Sequence, residues 1–146
     1  MRIVELTQQE AERLRDQIAF LYHRNMRACA HMGSFTYGDA CRKMDDLVFH
    51  LGNGTCVAYV ALDGDEVCGF VWAHPHRWRG VHRMYVSEIR TREGWRRRGI
   101  GTELLRRAAR VFLERPDCMS TENCATNCLK SVPLAPKLQS PPSMIP

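Results

Sequence analysis

The stretch Glu93–Phe112, EGWRRRGIGTELLRRAARVF, decides how this chain is read. In its second half Leu104, Leu105, Ala108, Ala109 and Phe112 recur at helical spacing with arginines opposite. That pattern predicts an amphipathic helix from Thr102 to about Glu114. Its first half packs Arg96, Arg97, Arg98, Gly99 and Gly101 between a strand-like run and that helix. A strand, a short glycine and arginine loop, then a helix N-terminus is a physical recipe for phosphate. Successive backbone N–H groups from Arg97 to Thr102 would face one concavity, where the helix dipole adds partial positive charge. The glycines allow a tight turn and close approach of a ligand.

Known nucleotide loops are excluded by their own chemistry. No lysine completes a GxxxxGK[ST] loop, and position 104 is leucine where a GxGxxG pattern needs a small residue. Nucleotide hydrolysis and hydride transfer are therefore disfavoured.

Working outward, MRIVEL reads as a short strand. Thr7 and Glu10 fit a capping box opening a helix through about Arg27, with Ala11, Leu14, Ile18, Leu21 and Tyr22 as its apolar stripe. HMGSFTYGDA reads as a loop. Thr36 and Asp39 start a second helix that Gly52 and Gly54 end. Two valine-rich runs, Thr55 to Leu62 and Glu66 to Ala73, flank a DGDE turn and predict an antiparallel hairpin. HPHRWRG reads as a connection to a third strand of that set, VHRMYVSEIRT, alternating at Val81, Arg83, Tyr85 and on to Ile89. The fold class expected is α+β, a mixed α/β sheet flanked by helices.

At 146 residues the chain has room for one domain with a buried core. No apolar run reaches the ~18 residues of a membrane span, and the acidic N-terminus does not read as a signal peptide. A cytoplasmic location without membrane contact is expected. Seven cysteines at irregular spacing, without an export signal, read as reduced small hydrophobes. Cys124 and Cys128 lack a second ligand pair, and the histidines are scattered, so no metal site is expected.

The net charge of +5 is concentrated: eight arginines face Glu93 and Glu103 between positions 90 and 110, leaving the remainder close to neutral. One basic segment points to a local anionic ligand rather than to nucleic acid. Arg106, Arg107 and Arg110 read simply as a solvated helix face. From Pro116 onward the character changes, with six of seven prolines and no aromatic residue. Residues 1–115 are read as the folded domain, and 116–146 as a proline-rich, disordered tail.

RRRGIG followed by TELLRRA resembles the [RQ]-x-x-G-x-[GA] pyrophosphate loop and third helix of the GNAT N-acetyltransferase superfamily. Arg96, Gly99 and Gly101 match its fixed positions, Trp95 is a typical preceding aromatic, and SEIRTREGW occupies the place of the fourth strand. The order strand, helix, helix, three antiparallel strands, helix matches throughout residues 1–115.

The resemblance implies transfer of acetyl from acetyl-CoA to an amine of a small molecule or peptide. It implies that amides of Arg97, Arg98, Gly99, Ile100, Gly101 and Thr102, with Arg96, hold the pyrophosphate. It implies that Ile89, Arg90 and Thr91 run along the pantetheine. The attacking amine must be neutral, so a base or water relay is needed. Glu88 is the candidate base, and its alternative is a charged residue on an exposed strand face. Tyr85 and His82 are weaker candidates. Phe35, Tyr37, Trp72 and His74 are nominated for acceptor binding, against a reading as core or rim.

The pattern departs from the family after the third helix. The fifth strand and fourth helix are expected to be missing, and the tail to read as a truncation or frameshift would leave it. One wall of the cofactor cleft is then absent and the fourth strand becomes an open edge, unless a second copy, as in a homodimer, supplies the missing elements. The alternative function is a remnant that binds CoA weakly or serves only as an interaction module.

Overall fold

The computed structural model describes residues 1–29 and 33–114. The readings made for residues 116–146 lie outside the described residues.

The chain begins with β1 (Arg2–Glu5) and α1 (Gln8–Arg27), followed by α2 (Tyr37–Gly52), β2 (Val57–Asp63), β3 (Glu66–Trp78) and β4 (Val81–Thr91). A 3-10 turn at Glu93–Trp95 leads into α3 (Ile100–Glu114). The strands form one antiparallel sheet in the order β1-β2-β3-β4. The expected α+β architecture and element order are as read from the sequence, although α3 begins at Ile100, two residues early.

The sheet separates two cores. Ala58, Val60, Leu62, Val67, Phe70 and Trp72 point toward α1 and α2, joining Leu14, Ile18, Leu21, Tyr22, Met44 and Leu47. Val57, Tyr59, Ala61, Cys68, Val71 and Ala73 point toward α3, joining Ile100, Leu104, Ala108 and Phe112. Val57–Leu62 is buried without a break because both faces of β2 are covered.

Local signals explain the helix ends. Thr7 Oγ1 accepts from the Glu10 amide at 3.1 Å, but the Glu10 carboxylate turns to Arg13 at 2.8 Å, so only half the expected capping box is used. At α2 the box is complete: Thr36 Oγ1 accepts from the Asp39 amide, and Asp39 accepts from the Thr36 amide.

The segment HPHRWRG departs from its reading as a connection. β3 continues through Pro75 to Trp78, paired with β4. Its pairing with β2 ends at Ala73, so Pro75 lies where one side of β3 has no ladder, and a missing N–H breaks nothing there. The true turn is Arg79–Gly80, with φ of 50° and 75°, the left-handed pair of a two-residue hairpin.

The alternation expected along β4 also fails. Trp72 pairs with Glu88 but Ala73 pairs with Val86, which leaves Ser87 as a bulge. Val86 and Ile89 therefore both pack on the α3 side, whereas Tyr85, Glu88 and Arg90 pair with His74, Trp72 and Phe70 on the other. A bulge flips the period-2 pattern by one residue.

Candidate active site

β4 serves two different surfaces, one on each side of the sheet. On the α3 side, a cavity of about 320 Å³ opens between the end of β4 and the first turn of α3, lined by Ile89, Thr91, Trp95, Arg97, Gly101 and Thr102 among others. Arg97 and Gly99 hold left-handed φ values of 63° and 84°, which only glycine adopts without strain. The amide of Glu103 is bonded to the Gly99 carbonyl at 3.1 Å, so those of Ile100, Gly101 and Thr102 precede the helical ladder and lack an acceptor within it. A Cβ on Gly101 would meet Ile89 and Thr91 at 3.9 Å. Gly101 thus keeps the groove open rather than relieving a clash within the protein. Open amides, a helix N-terminus and a glycine-floored groove fit a pyrophosphate.

The arginines of the loop do different work. Arg96 reaches across to α1, where Nη2 donates to Asn25 Oδ1 at 3.2 Å. Arg98 lies over the Trp95 ring at 4.7 Å. Arg92 anchors the loop's approach, its amide donating to the Cys68 carbonyl at 2.7 Å and its Nε to the Val67 carbonyl at 3.0 Å.

Gly69 on β3 is a positioning residue that the strand pattern concealed. A Cβ there would lie 2.9 Å from the Arg90 carbonyl and 3.2 Å from Ile100 Cγ2. Its absence lets the first turn of α3 sit directly on the sheet. The available signal was a glycine interrupting an apolar strand.

On the α1/α2 side, Glu88 lies at the centre of a polar cluster, its side chain 10% exposed. Tyr22 Oη donates to its Oε2 at 2.8 Å, Arg90 Nη2 donates to its Oε1 at 2.8 Å, and Lys43 Nζ stands 3.9 Å from Oε2. Burial, and secondarily the bond to Glu88, push the Tyr22 phenol up to about 12. The Lys43 ammonium also sits over the Trp72 ring, 5.2 Å from its centre. Tyr22 and Lys43 belong to the cluster; the sequence pattern placed Tyr22 only in the apolar stripe of its helix and did not single out Lys43.

The acceptor-binding candidates divide. Trp72 adjoins Lys43 and His50, the latter at 6.1 Å, and His74 stacks against Tyr85 at 5.1 Å. Phe35 reaches the cluster through Tyr22, at 5.4 Å. Tyr37 packs on α1 instead, edge-on to His23 at 6.0 Å with its hydroxyl toward the Asp16 carbonyl. Tyr85 is half exposed, between His74 and His76. The side chain of His82 lies outside the described residues. Burial holds His74 below the usual imidazole range. Its Nδ1 lies 3.3 Å from the Pro75 carbonyl, which assigns the proton to Nδ1 and leaves Nε2 with a lone pair.

The model of the acetyltransferase (GNAT) family matches residues 17–138. Comparison with curated protein sequences finds no match. Among solved structures, an aminoglycoside acetyltransferase from an uncultured soil metagenomic sample, in complex with sisomicin, is 20% identical with a TM-score of 0.52 over 71% of this chain and 64% of that one. An aminoglycoside 6'-acetyltransferase type Ii is 23% identical, TM-score 0.58, over 75% of this chain and 63% of that one. An aminoglycoside 6'-N-acetyltransferase complexed with coenzyme A is 22% identical, TM-score 0.55, over 75% and 54%. At these identities the structures show the fold. The chain spans less than two thirds of the length of each of these three.

Proposed function

The chain belongs to the GNAT acetyltransferase family, and from that premise we propose that it transfers acetyl from acetyl-CoA to a primary amine of a small molecule or protein. The observation that carries the proposal is the groove between Ile89, Thr91 and Gly101, with open amides at the N-terminus of a 15-residue helix. Acetyl-CoA, when bound, supplies the thioester whose C–S bond breaks as the amine's C–N bond forms.

The residues of this chain divide that task between the two faces of β4. Amides from Arg97 to Thr102 hold the pyrophosphate, and the edge of Ile89, Arg90 and Thr91 is the surface for pantetheine. The acceptor lies on the face of Trp72, His74, Tyr85 and Glu88. Two groups there can take the amine's proton. Glu88 is the carboxylate expected from sequence, and its oxygens already serve Tyr22, Arg90 and Lys43. His74, kept neutral by burial, has its Nε2 lone pair uncommitted to the Pro75 contact, which favours it as the base.

A second reading is a remnant that binds CoA without turnover. Among the described residues β4 pairs with β3 alone, so one side of its ladder is open. Calorimetry with acetyl-CoA tests the cofactor assignment: the native chain should bind, and Gly101→Asp should abolish binding by placing a carboxylate in the groove. No binding by the native chain removes the proposal. Thiol release with an amine panel then separates an enzyme from a remnant.

A further inference from the structure

Among the described residues the acceptor face is cationic at its centre, where the Glu88 carboxylate is neutralised from within. Lys43 from α2 and Arg90 from β4 both pair with Glu88. Arg83 lies two residues before Tyr85, on the same side of β4. The other titratable groups there are Tyr22, Tyr85 and the histidines 50, 74 and 76. Of the three acidic residues of α2, Asp39 is engaged with Arg42 and Asp45 with Arg15, and Asp46, one turn beyond Lys43, is exposed to solvent. Donors outnumber acceptors as well, because the buried Arg90 Nε has no hydrogen-bond partner among the described residues.

Such a face repels a polycation, since like charges brought together without solvent cost binding energy. It accepts an anion. We propose that the acceptor is an amine that also carries a carboxylate or phosphate group, and that Lys43 is the residue that reads this acidic group. Lys43 suits the role. Its side chain is 37% exposed, its contact with Glu88 is long at 3.9 Å, and Trp72 supports the ammonium from beneath. It can donate to a ligand while Glu88 keeps its shorter bonds to Tyr22 and Arg90. The inference rests on the acetyltransferase reading above and adds the class of acceptor.

The test compares an amino acid and an amino-sugar phosphate with a polyamine and an aminoglycoside, using the native chain, Lys43→Gln and Lys43→Glu. Acetyl-CoA binding is measured first by calorimetry, amine binding by saturation-transfer NMR, and turnover by thiol release. The expected result is at least tenfold preference for the acid-bearing amines. That preference should fall about tenfold in Lys43→Gln and reverse in Lys43→Glu, through KM and with acetyl-CoA affinity unchanged. A preference for the polycations, or one indifferent to both variants, overturns the inference and leaves acetyl transfer standing. Loss of acetyl-CoA binding by the native chain overturns both.

Discussion

Tyr22 shows how one hydroxyl links stability to the site. Its phenol is raised from about 10 to about 12, so the folded chain holds that proton more tightly than the unfolded one. The resulting stability, at most about 2.7 kcal/mol at that shift and reduced by solvent screening, is fully present below pH 10 and lost as pH rises toward 12. Alkaline unfolding followed by circular dichroism should show this loss, and Tyr22→Phe should flatten that part of the curve. His74 has the opposite direction: its imidazolium is disfavoured, so its proton leaves below pH 6.5. If His74 is the base, kcat/KM should rise along an acid limb below pH 6.5 and then level. His74→Gln should remove that limb and lower the plateau by about 100-fold, whereas an unchanged profile assigns the proton elsewhere. Glu88→Gln tests the alternative on the same measurement. At this scale the family resemblance, laid residue by residue on the sequence, named Glu88, Trp72, His74 and Tyr85. It could not show that Tyr22 and Lys43 join them, since their partners lie 66 and 45 positions away along the chain.

The element that carries the proposed cofactor groove is α3, and its placement depends on residues outside it. Gly69→Ala would put a methyl 2.9 Å from the Arg90 backbone carbonyl, and backbone cannot yield as a flexible side chain does. We expect a loss of about 1–3 kcal/mol in thermal unfolding, with acetyl-CoA affinity falling further than stability accounts for. Gly99→Ala differs, because it strains a φ of 84° in the loop itself. It should cost about 1–2 kcal/mol and weaken cofactor binding with little change in the sheet. The loop was legible beforehand because glycines ahead of an amphipathic helix have few other uses. The bulge at Ser87 was not legible: period-2 alternation looks continuous through Tyr85, Ser87 and Ile89 until the partner strand shows the register shift.

Across the molecule, the sheet isolates two chemistries. Val57–Leu62 of β2 is buried on both faces, so its amides should exchange most slowly in native-state hydrogen exchange. Saturating acetyl-CoA should then slow exchange at Ile89–Thr91 and Arg97–Thr102 while leaving α2 unchanged. Protection confined to the α1/α2 layer would place the cofactor on the wrong face. An acid-bearing amine should produce the complementary pattern.

The sequence by itself determined the element order, the two helix starts at Thr7 and Thr36, and the loop from Arg96 to Thr102, because each rests on neighbours within a few residues. Only the tertiary structure decided which face of β4 each side chain serves, how far β3 runs past Pro75, and that Glu88 is already paired. Those depend on register and on contacts between distant segments, where a one-residue bulge exchanges the two sides of the sheet and a lysine on a helix joins a carboxylate on a strand.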